Sequence, residues 1–452
     1  MFKYSVSILG TGFIGLCSAA CFADKDIKVL ASTHNEKKAA LINDGKAPFF
    51  EAGLQELMDD IKKNNPELLQ CLTDPVKAVL ETDISMITQG TPMREDKSID
   101  LSFIESTARE IGKALKNKNQ YHLVIVRSTV VPGTTRNLVS KIIEEVSGKE
   151  PGRDYGLCMQ PEFLAEGRSI EDTLHPDRII IGEFDEKSGA MLQEFYEYFY
   201  GDHLENCPIL RMNLESAELV KYGNNCLLST KISYANEFAN FAELVPNVDI
   251  TQVMRGVGLD YRLNPRFLRA GVGFGGSCFH KDVNAIKEWS KSKGYTSRLL
   301  EAVLNINDDQ AIHIINIAEQ LVGYLAEKRV TLLGLAFKPG TDDMREAASI
   351  RVVNELRKRG VTNIIGYDPK ALKTAEEEIG DKIKYADSIE EALKDSECAL
   401  LITEWDEFKN LTPNDFKRLM KTPNLVDGRR LFDYDEFNSA LPFRAIGRIN
   451  LK

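Results

Sequence analysis

Short apolar runs recur along the first part of the chain, at Ser5–Leu9, Lys28–Ala31, Ile84–Thr88, Leu123–Arg127, Leu157–Gln160 and Arg178–Gly182, each separated from the next by stretches with helical spacing. Runs of this kind form buried parallel strands, with the intervening helices on both faces of a doubly wound α/β sheet. From about Asn213 to Ile317 the pattern is mostly helical, and Ser216–Leu244, which lacks proline, predicts one long helix. Such a helix bridges two lobes and offers subunits a place to pair. After Arg329 the alternation returns, with strands at Val330–Ala336, Asn363–Asp368, Ala399–Glu404 and Asn424–Asp427 and a helix from about Ser349 to Arg359. These predict a second, smaller α/β unit.

Composition changes this picture little. Of 452 residues, 43% are hydrophobic and 28% charged, ordinary usage for a globular chain, and the length suggests about three domains. A net charge of −11 with no block of Lys or Arg argues against nucleic acid or an anionic membrane as partner. A phosphate-rich ligand would have to be held by a few placed cations and backbone amides. No apolar run approaches the roughly 18 residues of a membrane span. The start, Tyr4–Gly10, runs directly into a glycine loop and reads as a first strand, not a signal peptide. Eight cysteines without scaffold spacing suit a reducing cytoplasm, and Cys17 and Cys21, four apart on a predicted helix, read as small core residues. No metal site is expected.

The first strand leads into Gly10-Thr-Gly12-Phe-Ile14-Gly15 and then a helical stretch. Strand, glycines and helix in this order form the dinucleotide fingerprint: a tight turn at Gly10, room for a pyrophosphate at Gly12, and close helix–strand packing at Gly15. The helix N-terminus supplies amides and a positive dipole end. One part of the fingerprint is missing. The second strand should end in an acid that accepts from the ribose 2′-hydroxyl, and Thr33 stands there, with Ser32, His34 and Lys38 nearby. NAD is expected as cofactor, with NADP also open.

Phe267-Leu268-Arg269-Ala-Gly271-Val-Gly-Phe-Gly275-Gly-Ser-Cys278-Phe279-His-Lys281-Asp282 carries the sharpest chemistry. Its glycine density predicts a backbone that approaches a ligand closely. A cysteine near a helix N-terminus and beside Lys281 has its thiolate favoured, the environment of a nucleophile.

With these pieces, the chain resembles the UDP-glucose/GDP-mannose dehydrogenase family over nearly its whole length. The other matching segments are Gly90-Thr91-Pro, Ser128-Thr129-Val-Val-Pro-Gly133, Pro161-Glu162-Phe163-Leu164-Ala-Glu166-Gly, His175-Pro-Asp-Arg178, Glu215–Asn225, Ala336-Phe337-Lys338–Glu346 and Asp427-Gly-Arg429. The resemblance implies a Rossmann-type NAD(P)-binding domain over 1–205, a central helical dimerisation domain over 206–318, and a smaller Rossmann-like UDP-sugar-binding domain over 319–452. It implies a homodimer or higher homo-oligomer acting on a nucleotide-sugar.

It also implies roles. Cys278 traps the aldehyde formed by a first oxidation, and a second oxidation makes a thioester that water opens. Lys221 and Asn225, four apart on a helix and so on one face, suit the oxyanion, although that spacing alone also fits a solvated face. Asp282 partners a catalytic water, Glu162 acts as base in hydrolysis, and Thr129 orders water near the nicotinamide. Glu166 belongs to the loop between cofactor and substrate, yet a Glu162/Glu166 pair alone also fits surface charge. Gly10, Gly12, Ile14, Gly15, Thr33, Lys38, Gly90, Thr91, Thr129, Glu166, Lys281 and Arg345 fall to the cofactor. Glu162, Phe163, Leu164, Lys221, Asn225, Phe267, Leu268, Arg269, Gly271, Gly275, Phe279, Phe337, Lys338 and Arg429 fall to the substrate, with Arg262 reaching in from a neighbouring subunit. Phe267, Phe279 and Phe337 taken singly also fit a core.

Three residues depart from the family pattern. These are Thr33, His280 in place of a common proline, read as a surface change with tuning of the thiolate by an inward-turned imidazole as the alternative, and Gln160 in place of asparagine, to which little consequence is given. The cysteine loop with His175–Arg178 looks like the UDP-glucose branch. GDP-mannose is the alternative, and UDP-N-acetyl sugars come third. A two-electron hydroxyacid dehydrogenase would have no use for the nucleophile loop or the second lobe, and a nicotinamide sensor would tolerate Cys278→Ser.

Overall fold

The computed structural model describes residues 3–448. Fourteen strands among them form two sheets. The first has the order β3-β2-β1-β4-β5-β6-β7-β8. Its strands are β1 (Ser5–Leu9), β2 (Lys28–Ser32), β3 (Leu69–Leu72), β4 (Ile84–Ile87), β5 (Leu123–Val126), β6 (Gly156–Met159), β7 (Ile179–Glu183) and β8 (Ile209–Asn213). β1 to β6 pair in parallel, and the fully buried β4, β5 and β6 are what a sheet covered on both faces calls for. β7 pairs antiparallel to β6, with Cys158 opposite Glu183, so the last two strands run against the rest of a sheet expected to be parallel. β3 and β8 escaped the hydrophobic pattern for a physical reason. Both are edge strands, and in β8 no residue is fully buried, so neither carries the apolar run that marks β1, β4 or β5.

The second sheet has the order β11-β10-β9-β12-β13-β14 and is parallel throughout. Its strands are β9 (Val330–Leu333), β10 (Ile364–Tyr367), β11 (Lys384–Tyr385), β12 (Cys398–Leu401), β13 (Leu425–Asp427) and β14 (Phe443–Ala445). The two edge strands, of two and three residues, were again not legible as apolar runs.

The long helix spans Leu214–Glu243, against Ser216–Leu244 expected. The chain divides into two compact units, Met1–Asn224 and Asn225–Lys452, at a point inside this helix. Within the second unit the helical segment shares one core with the sheet: Ala235, Ile250, Ile314 and Ala318 belong to the same buried cluster as Leu332, Leu400 and Phe443. Cys17 and Cys21 are fully buried in the first unit's core, as read from their spacing. No helix among the described residues is long and apolar enough to cross a membrane.

Candidate active site

In the first unit, β1 ends at Leu9 and Gly10 turns the chain at φ +118°, a conformation that favours glycine. A Cβ at Gly15 would lie 1.9 Å from the Gly10 carbonyl oxygen, so only glycine permits this helix–strand approach. Gly12 differs: nothing stands within 4 Å of where its Cβ would be, and no side chain caps the helix Phe13–Asp24 that follows. An open cradle at a helix N-terminus fits a pyrophosphate. At the end of β2, the Thr33 hydroxyl accepts from the Asn35 N–H at 3.3 Å. His34 Nε2 lies 3.4 Å from the Glu110 carboxylate. Lys38 is half-buried with its ammonium 5.5 Å from the Phe49 ring centre, and burial lowers its pKa.

Two loops are tied beside this turn. The Thr91 hydroxyl donates to the Thr129 carbonyl at 2.9 Å, next to Gly90, and Ser128 Oγ donates to the Gln89 carbonyl at 2.7 Å. The second loop runs into a π-helical turn, Thr135–Val139. There Glu218, fully buried, accepts from the N–H groups of Gly133 and Thr135. Burial pushes the Glu218 carboxyl up to about 7, against the pull of those hydrogen bonds.

Glu162 and Lys221 form a buried ion pair, Lys221 Nζ donating to Glu162 Oε1 at 2.8 Å with each side chain 5% exposed. Burial alone would raise the Glu162 pKa. The Lys221 charge and hydrogen bond, the Leu164 N–H at 2.7 Å and Arg127 outweigh it and hold the carboxyl below its ordinary value. Removing either partner would leave an uncompensated buried charge, a loss of about 3–5 kcal/mol. Phe163 lies under the Arg178 guanidinium at 3.7 Å, and Arg178 donates to Asn224 at 2.9 Å. Glu166 is half-buried, and the loop just after it is held by Glu51, whose carboxylate accepts from Gly167 and Ser169. Gln160, given little weight from sequence, is a buried hub. Its Oε1 accepts from Arg127 and from the Tyr196 hydroxyl, because both donors need a partner away from water.

In the second unit, Cys278 is the N-cap of the helix Phe279–Ser292 and is exposed, with Ser277 Oγ 3.7 Å from its sulfur. Asp282, in the first turn and 1% exposed, accepts from Asn225 Nδ2 at 2.6 Å. The Lys281 ammonium, expected beside the thiolate, is paired with the other Asp282 oxygen. The loop glycines admit close packing of the chain on itself. The Cβ positions at Gly275 and Gly276 lie 2.5 Å from the Glu346 carbonyl and 2.7 Å from the Phe337 ring, and those at Gly271 and Gly273 face Gly428 and Asn307. Their missing side chains let the chain pack on itself and hold Cys278 in place. Phe267 is 43% exposed, with its ring centre 6.4 Å from that of half-buried Phe279.

The remaining cations are engaged by the chain. Arg429 donates to the carbonyls of Ile402 at 2.6 Å and Gly273 at 3.2 Å. Arg269 donates to the Arg429 carbonyl at 2.7 Å, just after half-buried Leu268. Arg345 and Arg262, each mostly exposed, grip Asp343 and Asp260 with two nitrogens. Lys338 lies 5.5 Å from the Phe337 ring centre. The predicted residues thus gather into Glu162–Phe163–Lys221 in one unit and Asn225–Cys278–Lys281–Asp282 in the other. Thr33 and Lys38 stand apart, at the β2 end. His280, read as a surface residue, is buried. Sequence reasoning missed Glu51, Glu218, Asn307 and Arg351; of these only Glu218 lay inside a motif already singled out.

No metal-holding cluster occurs among the described residues. Models of the UDP-glucose/GDP-mannose dehydrogenase family match in three parts: its NAD binding domain over residues 4–200, its central domain over 215–309 and its UDP binding domain over 331–434. UDP-glucose 6-dehydrogenase TuaD of Bacillus subtilis is 36% identical over 98% of this chain and 93% of its own. A GDP-mannose 6-dehydrogenase of Pseudomonas syringae is 36% identical over 95% of each chain. The structure of a UDP-glucose dehydrogenase from the archaeon Pyrobaculum islandicum superposes with a TM-score of 0.89 at 33% identity, covering 99% of this chain and 98% of that one. With its glycine cradle, its exposed cysteine and these matches over nearly its full length, the chain belongs to the UDP-glucose/GDP-mannose dehydrogenase family.

Proposed function

We propose that this chain is a UDP-glucose 6-dehydrogenase, oxidising UDP-glucose to UDP-glucuronate in two successive steps through a covalent intermediate on Cys278. The observation that carries the reading is Cys278 itself, the one exposed cysteine among the described residues, capping a helix at the end of a loop braced by the chain's own atoms. When bound, the nicotinamide accepts the hydride from the sugar carbon in each oxidation. The other events belong to side chains. A water held by Asp282 takes the hydroxyl proton as the alcohol becomes an aldehyde. The Cys278 sulfur then attacks the aldehyde carbon, and the carbonyl electron pair moves to oxygen, where Lys221 and Asn225 stabilise it and a proton is gained. Loss of the second hydride, with that hydroxyl proton, gives the thioester. Water, ordered by Thr129 and deprotonated by Glu162, adds to it and expels the thiolate. Glu162 is weakly basic while Lys221 pairs with it, and gains basicity when Lys221 turns to the oxyanion.

We assign NAD as the cofactor. His34 is turned to Glu110, and Lys38 is partly buried against Phe49, so the cations that would receive a 2′-phosphate are engaged and a carboxylate stands near. Leu227, Tyr234 and Phe241, seven apart on one face of the long helix, are 62%, 43% and 50% exposed. That face supports a homodimer or larger homo-oligomer, checked by light scattering. A reducing, cytoplasmic setting suits a mechanism that needs a free thiol.

The substrate is tested by turnover of UDP-glucose, GDP-mannose and UDP-N-acetylhexosamines side by side. UDP-glucose is expected to have the highest kcat/KM. A preference for GDP-mannose, the activity named for the Pseudomonas relative, would overturn the assignment.

A further inference from the structure

His280 is the second residue of the helix that Cys278 caps. Its Nε2 lies 3.0 Å from Asn307 Nδ2 and 2.9 Å from Arg351 Nη2. The Asn307 amide has its orientation fixed elsewhere: its Oδ1 accepts from the Phe274 N–H at 2.7 Å, so its amino group faces His280, and it also donates to the Phe274 carbonyl at 3.0 Å. A guanidinium carries donors only. Facing two donors, Nε2 is the acceptor, its single lone pair shared between them, and a neutral imidazole then carries its proton on Nδ1. Arg351 Nη2 also donates to Glu346 at 2.8 Å and has Asp308 at 3.7 Å, so two carboxylates face the guanidinium that reaches the ring. The Phe274 ring lies 5.0 Å from the imidazole, and the His280 carbonyl accepts from Asn284 at 2.8 Å.

These contacts join three pieces of chain at one atom: the nucleophile helix, the helix Arg298–Val322 through Asn307, and the helix Ala348–Lys358 through Arg351. A parallel tie runs from the Gly276 N–H to the Arg345 carbonyl at 3.0 Å. We propose that His280 is a positioning residue for the nucleophile, its Nε2 lone pair shared between two donors so that it fixes the first turn of the helix and thereby the presentation of Cys278. The proposal rests on Cys278 being the nucleophile but not on the identity of the sugar.

Two substitutions separate this role from simple packing. His280→Pro removes the acceptor at a position where proline is tolerated, since an N–H in the first helical turn has no intrahelical partner. His280→Gln keeps an oxygen able to receive both donors. The first readout is the rate of Cys278 alkylation by iodoacetamide in the substrate-free protein, followed by peptide mass spectrometry. The second is kcat, with the NAD Kd and the UDP-glucose KM measured alongside. His280→Pro is expected to slow alkylation and lower kcat about tenfold, with Kd and KM within about twofold of the parent. His280→Gln should restore both rates to within about threefold. In the parent protein, 15N spectra of labelled histidine should show an unprotonated Nε2 and a protonated Nδ1 at neutral pH. Parental alkylation and kcat in His280→Pro, equal impairment in folded His280→Gln, or a protonated Nε2 would each overturn the proposal. Absence of UDP-glucose turnover with the alkylation difference intact would instead count against the substrate assignment alone.

Discussion

The two sheets share a strand order, third-second-first-fourth-fifth-sixth within each, yet their first turns are used in opposite ways. After β1, Gly12 leaves open space and its helix has no side-chain cap. After β9, the Cβ position at Gly334 lies 2.5 Å from Thr403, and the amides of Leu335 and Ala336 donate to Asp368 at 2.7 and 2.9 Å. The same carboxylate accepts from the Trp405 indole and from Lys370 and Ala371. Asp368 stands just past the end of β10, where a dinucleotide fold places its ribose-binding acid. Here that acid is spent on its own chain. At the corresponding place in the first unit stands Thr33, whose hydroxyl accepts only a local amide among the hydrogen bonds described for it. Strand order therefore does not tell the two lobes apart; the open first turn after β1 does.

The largest effect that would break this contrast comes from Gly15→Val. Its side chain cannot coexist with the Gly10 carbonyl, so NAD affinity by calorimetry should fall about 100-fold. Unchanged affinity would mean the cradle is not the cofactor site. Asp368→Asn should lower stability by about 2 kcal/mol in denaturant unfolding, because its amide would set donors against donors, while leaving the NAD Kd unchanged. A weakened NAD Kd would give the second turn a role in cofactor binding. Glu110→Gln should raise the NADP-to-NAD affinity ratio roughly fivefold, a magnitude suited to a partly exposed charge.

A pH-dependent effect lies in the loop that follows Thr129. Glu218 titrates at about 7 in the folded chain against 4.5 for the ordinary group, so between those values the folded state holds the extra proton. Stability from this group is therefore present at low pH and lost as pH rises through about 7. Glu218→Gln should flatten that part of the melting-temperature profile, and an unchanged slope would exclude Glu218 as its source.

The fold was legible wherever burial was complete. β5 is a continuous apolar run and β1, β4 and β9 interrupt theirs only with serine or threonine, while β3, β8, β11 and β14 are short or half-exposed edges. Local placement was legible where a motif fixes it, as with Cys278 at a helix start and the Gly10 turn after a strand. It was not legible where a residue's role depends on contacts distant in sequence. His280 meets Arg351 from 71 positions away, and Gln160 meets Tyr196 from 36. The packing of the cysteine-loop glycines was hidden for the same reason, since their close neighbours, Phe337, Glu346 and Gly428, lie far along the chain.

Cofactor reduced per UDP-glucose consumed, in the parent protein and in Cys278→Ser, tests the covalent four-electron route most directly. Two reduced cofactors per sugar in the parent, and loss of the completed acid in the variant, is the result the geometry at Cys278 leads to. One per sugar, unchanged by the substitution, would contradict it.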